Sequence, residues 1–212
     1  MNDTLKEQQL TYIITKAEEV FFMKGFTHTN ISDISKAAKR SRTTIYSYFE
    51  TKENLYLAVI YHSFLKFITV LEQVNIEGKN GLEKILAYGK GYLDFCQQCP
   101  QHHQIILDYY TLIKTNQWRA TNQMTYAGKV RKIALRPLKV MITEITNGQQ
   151  DHSITSELPP ATLFINIWAQ LIGITHLSQN LKNPNSFILL DIELKDWRQN
   201  TLNIIQNLLT TK

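Results

Sequence analysis

The chain has 212 residues, of which 43% are apolar and 10% aromatic, and its formal net charge is +5. This apolar content is sufficient for a packed core and excludes a disordered chain. A modest basic excess favours acidic partners without identifying one, because charge governs encounter and not fold. Two cysteines are too few for a secreted disulfide framework, and the first ten residues contain no apolar signal segment. We therefore expect a cytosolic protein with free thiols.

Helical periodicity runs through the chain, and no alternating apolar run is long enough for a strand. The sequence therefore predicts an all-α fold of about nine helices. The first helix has an apolar stripe over Leu10–Phe21 and is expected to end near Gly25. A long helix is expected from Lys52 into the seventies, and another over Gln123–Thr146 with a kink at Pro137. The other expected helices are Ile31–Ala38, Arg42–Phe49, Leu82–Gln98, His102–Leu112, Ala161–Leu181 and Phe187–Leu209. Loop-type residues, including the stretch Asn147–Ser156, separate them.

The uncharged stretch Leu158–Leu181 is long enough to span a bilayer. However, polar or small residues recur on one helical face at Thr162, Asn166, Gln170 and Gly173. We favour a helix of a soluble bundle and expect no membrane partner.

Two short helices near the N-terminus have the features of a helix-turn-helix. Asn30 and Asp33 form a capping signal, and Ser41 can cap the second helix after a tight turn. In Arg42–Phe49, Ile45 and Phe49 are spaced to face inward, and the remaining side chains can all donate or accept hydrogen bonds. A two-turn helix of this kind has little stability of its own and suits the major groove of DNA. The alternative is a solvated helix of an ordinary bundle.

The segments Gly25–Ile34, Ser41–Phe49 and Lys52–Leu55 closely resemble the N-terminal domain of the tetracycline-repressor-like (TetR) regulators. The resemblance implies a bacterial all-α homodimer whose N-terminal helix-turn-helix domains, here residues 1–50, read a palindromic DNA operator. It also implies a C-terminal domain, here residues 51–212, that binds a small-molecule inducer and dimerises.

The same resemblance assigns roles to individual side chains. It implies base readers at Arg42, Thr43 and Thr44, and phosphate contacts at Thr29, Tyr46, Tyr48 and Lys52. The predicted DNA-contacting set is completed by Lys39, Arg40, Ser41 and Ser47. One departure is the turn Ala38-Lys39-Arg40-Ser41, where the family usually has Ala-Gly-Val-Ser. Either Lys39 tolerates a left-handed backbone or the turn differs, and Arg40 is expected to swing outward toward phosphate.

The last two helices resemble the dimer-forming part of the family. The expected interface residues are Trp168, Ile172, Leu194, Trp197, Ile204, Ile205 and Leu208. Packing within one chain is the alternative for all of them.

Aromatic side chains are dense in the middle of the chain and could line an apolar ligand pocket. The candidates are Tyr88, Tyr92, Phe95, Tyr109, Tyr110, Trp118 and Tyr126. Aromatic residues at helical spacing are also typical of a core, and the pattern does not name a ligand.

Cys96 and Cys99 are followed closely by His102 and His103, residue types that bind zinc or copper or form redox pairs. A structural role is the favoured interpretation, so we expect neither a metal nor a cofactor. An all-α enzyme with a cysteine nucleophile is a further alternative, but no oxyanion or cofactor motif supports it.

The leading hypothesis is a ligand-responsive repressor, located in the cytoplasm at the nucleoid, with activation as a variant of the same mechanism. An interaction protein that retains the fold without binding DNA is the alternative from another class.

Overall fold

The computed structural model describes residues 3–112, 126–180 and 194–211. Within these ranges the secondary structure consists of nine α-helices without a strand, which confirms the all-α prediction. The helices are α1 (Asp3–His28), α2 (Ile31–Ala38), α3 (Arg42–Phe49), α4 (Lys52–Glu72), α5 (Gly81–Gln98), α6 (Pro100–Leu112), α7 (Tyr126–Gln150), α8 (Pro160–Asn180) and α9 (Leu194–Thr210).

Helix boundaries follow local sequence signals except at the end of α7. Gly25 interrupts the regular helix of α1, where it adopts a φ of 69° and one further turn follows. The predicted break at Asn147 is wrong, because α7 continues to Gln150. Gly148 does not end the helix; a β-carbon there would meet the side chain of Ile154, and a β-carbon on Gly81 would meet the backbone of Gly148. The expected starts of α7 and α9, at residues 123 and 187, lie outside the described residues.

The chain divides into two compact units, which are described separately. The first comprises residues up to 66 and from 101 to 134. It contains α1, α2 and α3, with parts of α4, α6 and α7. Its core includes Tyr56, whose ring contacts the rings of Phe21 and Phe26 at centroid distances of 4.7 and 4.9 Å. The hydroxyl of Tyr56 donates a hydrogen bond to Asp108 of α6 at 2.6 Å, so α6 is joined to the core that supports α1.

The second unit comprises residues 67–100 and from 135 onward. Here α8 and α9 pack against each other and against α5. Phe67 lies between Tyr92 and Phe95, and Tyr92 also contacts Trp168 of α8 at 5.4 Å. Arg198 of α9 forms an ion pair with Asp94 of α5 at 2.6 Å. Aromatic packing and this ion pair together fix the three helices.

Among the described residues, two helices are long and apolar enough to cross a membrane by length and composition, residues 52–72 and 160–179. Of the most apolar window, 56% is buried in the first helix and 28% in the second. The first is thus largely a core helix, whereas α8 leaves much of its apolar surface exposed.

A buried polar cluster joins three helices of the first unit. The Nδ1 atom of His102 (α6) lies 3.1 Å from Oγ of Ser63 and 3.3 Å from a carboxylate oxygen of Glu18 in α1. Lys66 donates to Nε2 of His102 at 3.1 Å, which places the imidazole proton on Nδ1. Burial, and then the charges of Lys66 and His62, lower the pKa of His102 to about 4. The cluster therefore holds a neutral histidine at neutral pH.

This low pKa gives a testable pH dependence of stability. Between pH 4 and the ordinary value of 6.5, the unfolded chain binds more protons at His102 than the folded chain does. The stabilisation is complete above pH 6.5 and is lost as the pH falls toward 4, by at most about 3 kcal/mol. We expect His102→Gln to flatten the dependence of the unfolding free energy on pH in this window, measured by urea denaturation.

The exposed His28 supplies the control, since His28→Gln should leave the wild-type pH dependence intact. Burial raises the pKa of Glu18, which contributes with the opposite sign, and lowers that of His62, which contributes with the same sign. Both groups remain in every variant, so the difference between curves isolates His102. Parallel curves for wild type and His102→Gln would contradict the assignment.

Candidate nucleic-acid interface

The start of α2 is fixed by side chains that the sequence identified. Asn30 Oδ1 accepts a hydrogen bond from the Asp33 amide at 3.0 Å, and Asp33 accepts one from the Asn30 amide at 3.1 Å. This reciprocal pair is a capping box. Asp33 also forms an ion pair with Lys24 of α1 at 2.9 Å, a contact that the sequence analysis did not find. The Lys24 ammonium and the Asn30 amide hold the pKa of Asp33 below its usual value.

The turn between α2 and α3 has a left-handed residue at the position where the pattern it resembles usually has glycine. Lys39 adopts φ 49° and ψ 45°, which is the left-handed region. Its amide bonds to the Lys36 carbonyl, and the Arg40 amide bonds to the Ser35 carbonyl at 3.1 Å. Ser35 Oγ in turn donates to the Arg40 carbonyl. The turn therefore forms with Lys39 in a strained left-handed backbone conformation.

Arg40 does not point outward, contrary to the sequence-based expectation. Its guanidinium lies over the ring of Tyr12, 5.7 Å from the centroid, and its Nε donates to Gln9 at 3.4 Å. A cation on an aromatic face is attracted by the ring quadrupole, which explains why the side chain folds back onto α1. Arg40 takes the place of the usual apolar residue by bracing the turn against α1.

Helix α3 separates a buried side from an exposed side. Ile45 and Phe49 are completely buried, as predicted. At the N-terminus, Ser41 Oγ accepts from the Thr44 amide at 3.0 Å and caps the helix. The exposed side chains on and beside α3 are Lys39, Ser41, Arg42, Thr43, Tyr46 and Ser47. Tyr46 retains 41% of its surface. A continuous hydrogen-bonding surface therefore faces solvent.

Two residues of the predicted DNA-contacting set are only partly available. Thr44 is half-buried, and its hydroxyl lies 2.8 Å from Ser41 Oγ, so it takes part in the helix cap. Tyr48 is also half-buried, with its ring 6.4 Å from that of Phe49. Their roles in reading DNA remain predictions.

Thr29 and Lys52 are turned inward. Thr29 is 2% exposed, and its hydroxyl donates to the Gly25 carbonyl at 2.7 Å. Lys52 is half-buried and donates to the carbonyls of Phe26 and Thr29. Direct phosphate contact by Thr29 is therefore at odds with the structure, because its hydroxyl is covered and already bonded. Sequence alone gave no signal for this, since the partners are backbone carbonyls.

Comparison with known proteins shows which regulators this helix-turn-helix resembles. Residues 13–59 match the model of the bacterial regulatory proteins of the tetR family. QacR, a helix-turn-helix transcriptional regulator of Staphylococcus aureus, is 30% identical over 104 residues, which cover 49% of this chain and 55% of QacR. Over residues 13–59 the chain is therefore similar to the tetR family. It is a family of regulatory proteins that bind DNA and not of enzymes.

Solved structures of other regulators agree with this chain in fold. The transcriptional regulator FadR of Bacillus subtilis, in complex with stearoyl-CoA, has a TM-score of 0.66 at 19% identity, and the match covers 93% of this chain and 98% of FadR. AibR, in complex with isovaleryl coenzyme A and operator DNA, has a TM-score of 0.65 at 12% identity, covering 92% and 97%. In sequence, the chain spans about half the length of the curated relatives it matches, or less.

The aromatic candidates for a TetR-type ligand pocket are divided between the two units. Tyr109, Tyr110 and Tyr126 belong to the first, where the ring of Tyr109 contacts Phe64 and that of Tyr126 contacts Phe49 and Tyr61. Tyr88, Tyr92 and Phe95 belong to the second, where Tyr92 and Phe95 are buried in its aromatic core. Trp118 lies outside the described residues.

The thiol and imidazole residues do not form a metal centre. No group of three or more His, Cys, Asp or Glu side chains within residues 3–112, 126–180 and 194–211 is placed to hold a metal ion. Both cysteines are free, and burial raises the pKa of Cys96 to about 12. A thiol so resistant to ionisation is a poor nucleophile and a poor ligand. His102 is occupied by the buried polar cluster, and His103 is buried.

The residues predicted for the dimer interface differ in exposure. Trp168, Ile172, Trp197 and Leu208 are half-buried, whereas Ile205 is almost completely buried within its own unit. The side chain of Leu194 lies outside what the structure describes. Ile165, Leu177 and Ile204 are exposed on α8 and α9, with exposed fractions of 57%, 43% and 55%. Ile165 and Leu177 were absent from the predicted set.

The strained turn gives a stability prediction. A left-handed backbone costs a residue with a β-carbon roughly 1–2 kcal/mol, which glycine avoids. We expect Lys39→Gly to raise the unfolding free energy by about 1 kcal/mol and the Tm by about 2–4 °C, measured by calorimetry. Lys36→Gly, at a helical position of α2, is the control and should destabilise by about 1 kcal/mol. Equal destabilisation by both variants would show that Lys39 is unstrained.

Proposed function

We propose that this protein is a homodimeric transcription repressor that binds a palindromic operator and is released by a small-molecule inducer. The observation that carries the proposal is the two-sided α3 in a tetR-family domain: Ile45 and Phe49 are buried, and the residues around them present hydrogen-bonding groups to solvent. Such a helix is suited to enter a major groove. The protein would act in the cytoplasm, at the nucleoid.

Within the reading head, residues 1–50, we assign roles by exposure and chemistry. Arg42 and Thr43 lie exposed in the first turn of α3, where recognition helices meet base edges, and arginine binds guanine with two hydrogen bonds. Tyr46, Ser47 and Lys39 are exposed donors suited to phosphate contacts, which position the protein without reading sequence.

The remainder, residues 51–212, would bind the inducer and dimerise. Names of relatives include a repressor, NicS, and an activator, FasR, so the direction of regulation needs an experiment. FadR and AibR were crystallised with coenzyme A thioesters. We propose a ligand with an apolar body of this general kind, and thermal-shift measurements with short- and long-chain acyl-CoA are the first test of its class. A ligand can release the operator only if its affinity differs between the operator-bound and the operator-free conformation of the protein.

The central test is selection of bound sequences from a library of random DNA duplexes. The proposal expects a two-fold symmetric motif, whose complex weakens steeply with salt. In vitro transcription from a promoter that carries the selected motif should then be reduced by the protein. If no salt-sensitive, sequence-selective complex forms, the protein is an interaction protein that retains the fold. Increased transcription would instead identify an activator.

Arg42 and Tyr46 give a matched pair of variants. Arg42→Ala should cost about 1–3 kcal/mol on the selected duplex and broaden base preference at one position of each half-site. Tyr46→Phe should weaken binding to selected and unrelated duplexes by the same factor, because a phosphate contact is independent of sequence. Repeating the selection with each variant provides the measurement. Unchanged discrimination by Arg42→Ala would remove it from the set of base readers.

The exposed apolar face of α8 gives a test of dimerisation. Family resemblance, and the 57% exposure of Ile165 on a helix that also buries one side, support a second copy as the partner of this face. Ile165→Asp places a charge in that interface and should raise the dimer Kd at least about 100-fold. Sedimentation velocity measures the shift toward monomer.

Met23, which is 75% exposed on α1, provides the control, and Met23→Asp should leave the dimer intact. A dimer of unchanged affinity with Ile165→Asp would place the interface elsewhere.

A further inference from the structure

Lys52 combines three contacts at one ammonium group. Its Nζ donates to the Phe26 carbonyl at 3.0 Å and to the Thr29 carbonyl at 2.9 Å. It also lies 4.2 Å from the centroid of the Phe26 ring. A lysine ammonium has three donors, and two backbone carbonyls and a ring face leave none directed at a further partner. A phosphate contact would require the group to leave at least one of them.

The position of Lys52 in the chain makes these contacts necessary. It is the first residue of α4, where the helix dipole is positive and disfavours a cation. The ammonium instead lies at the other pole, among carbonyls at the C-terminal end of α1, where negative partial charge favours it. Lys52 thereby ties the start of one helix to the end of another.

We propose that Lys52 is a positioning residue for DNA binding: it fixes the α1–α2 connection, and through it α2 and α3, and does not itself contact phosphate. This inference rests on the proposed function. The connection it holds is only one residue from Asn30, the cap of α2. On the other side, Phe26 packs against Tyr56, a core residue of α4. Lys52 therefore fixes the position of the reading head relative to α4.

The test separates a phosphate contact from a positioning contact by the salt dependence of binding. Lys52→Met keeps an unbranched side chain over Phe26 and removes the charge. We expect operator affinity on the selected duplex to fall about tenfold at fixed salt. The slope of log K against log [KCl] should stay at the wild-type value, whereas loss of a phosphate contact lowers it by about one. Amide hydrogen exchange at residues 26–34 should become faster.

Lys39→Met is the matched control, because it removes one positive charge from an exposed position of the same head. It should lower the salt slope and leave amide exchange at residues 26–34 unchanged. Lys52→Met with a reduced slope and wild-type exchange would overturn the inference.

Two further experiments apply if Lys52→Met does not fold or if the wild type binds no duplex. If Lys52→Met does not fold, Phe26→Leu retains the charge and removes the ring beneath it; wild-type exchange and affinity in that variant would overturn the positioning role. If wild type binds no duplex, the proposed function fails, while hydrogen exchange of Lys52→Met still tests the contact: no acceleration at residues 26–34 overturns it.

Discussion

Burial of Ile45 and Phe49 beneath α3 is the contact on which the DNA-binding face depends. An eight-residue helix is unstable alone in water, because nucleation costs more than two turns of hydrogen bonds return. The two apolar side chains hold α3 on the domain while its other side is left to polar groups. Ser41 then satisfies an amide at the first turn, the end expected to approach the bases. Stability and recognition therefore use different residues of the same two turns.

The sequence predicted the elements well where the signal is local. Asn30 and Ser41 are caps, and the bounds of α2 and α3 follow from them. The predicted break at Asn147 was wrong because the next residue, Gly148, has a tertiary role: it packs against Gly81 and Ile154, which no local pattern contains. The directions of Arg40 and Lys52 were equally unpredictable, since long flexible side chains take their rotamers from partners such as Tyr12 and Phe26 that lie far away in sequence.

The same limit applies to the exposed side of α9. Ile204 and Ile205 are both apolar and adjacent, and the sequence cannot tell which is buried, because successive residues lie about 100° apart around a helix. The structure assigns Ile205 to the core and leaves Ile204 55% exposed. Exchanging them would require the helix to rotate by about 100°. The sequence therefore predicts the apolar stripe of a helix, but a structure is needed to identify which residues at the edge of the stripe are exposed.

The polar cluster around His102 in the first unit shows what directional contacts add to a core that is otherwise apolar. Glu18 of α1 and His102 of α6 are largely covered, whereas Lys66 of α4 is exposed and reaches the imidazole with its ammonium group. An apolar replacement would tolerate small sliding of the helices, whereas directional hydrogen bonds do not. If His102 moves, Ser63 and Lys66 lose a hydrogen-bond partner inside the unit. The cost of burial is thus also what makes the position of α6 relative to α1 specific.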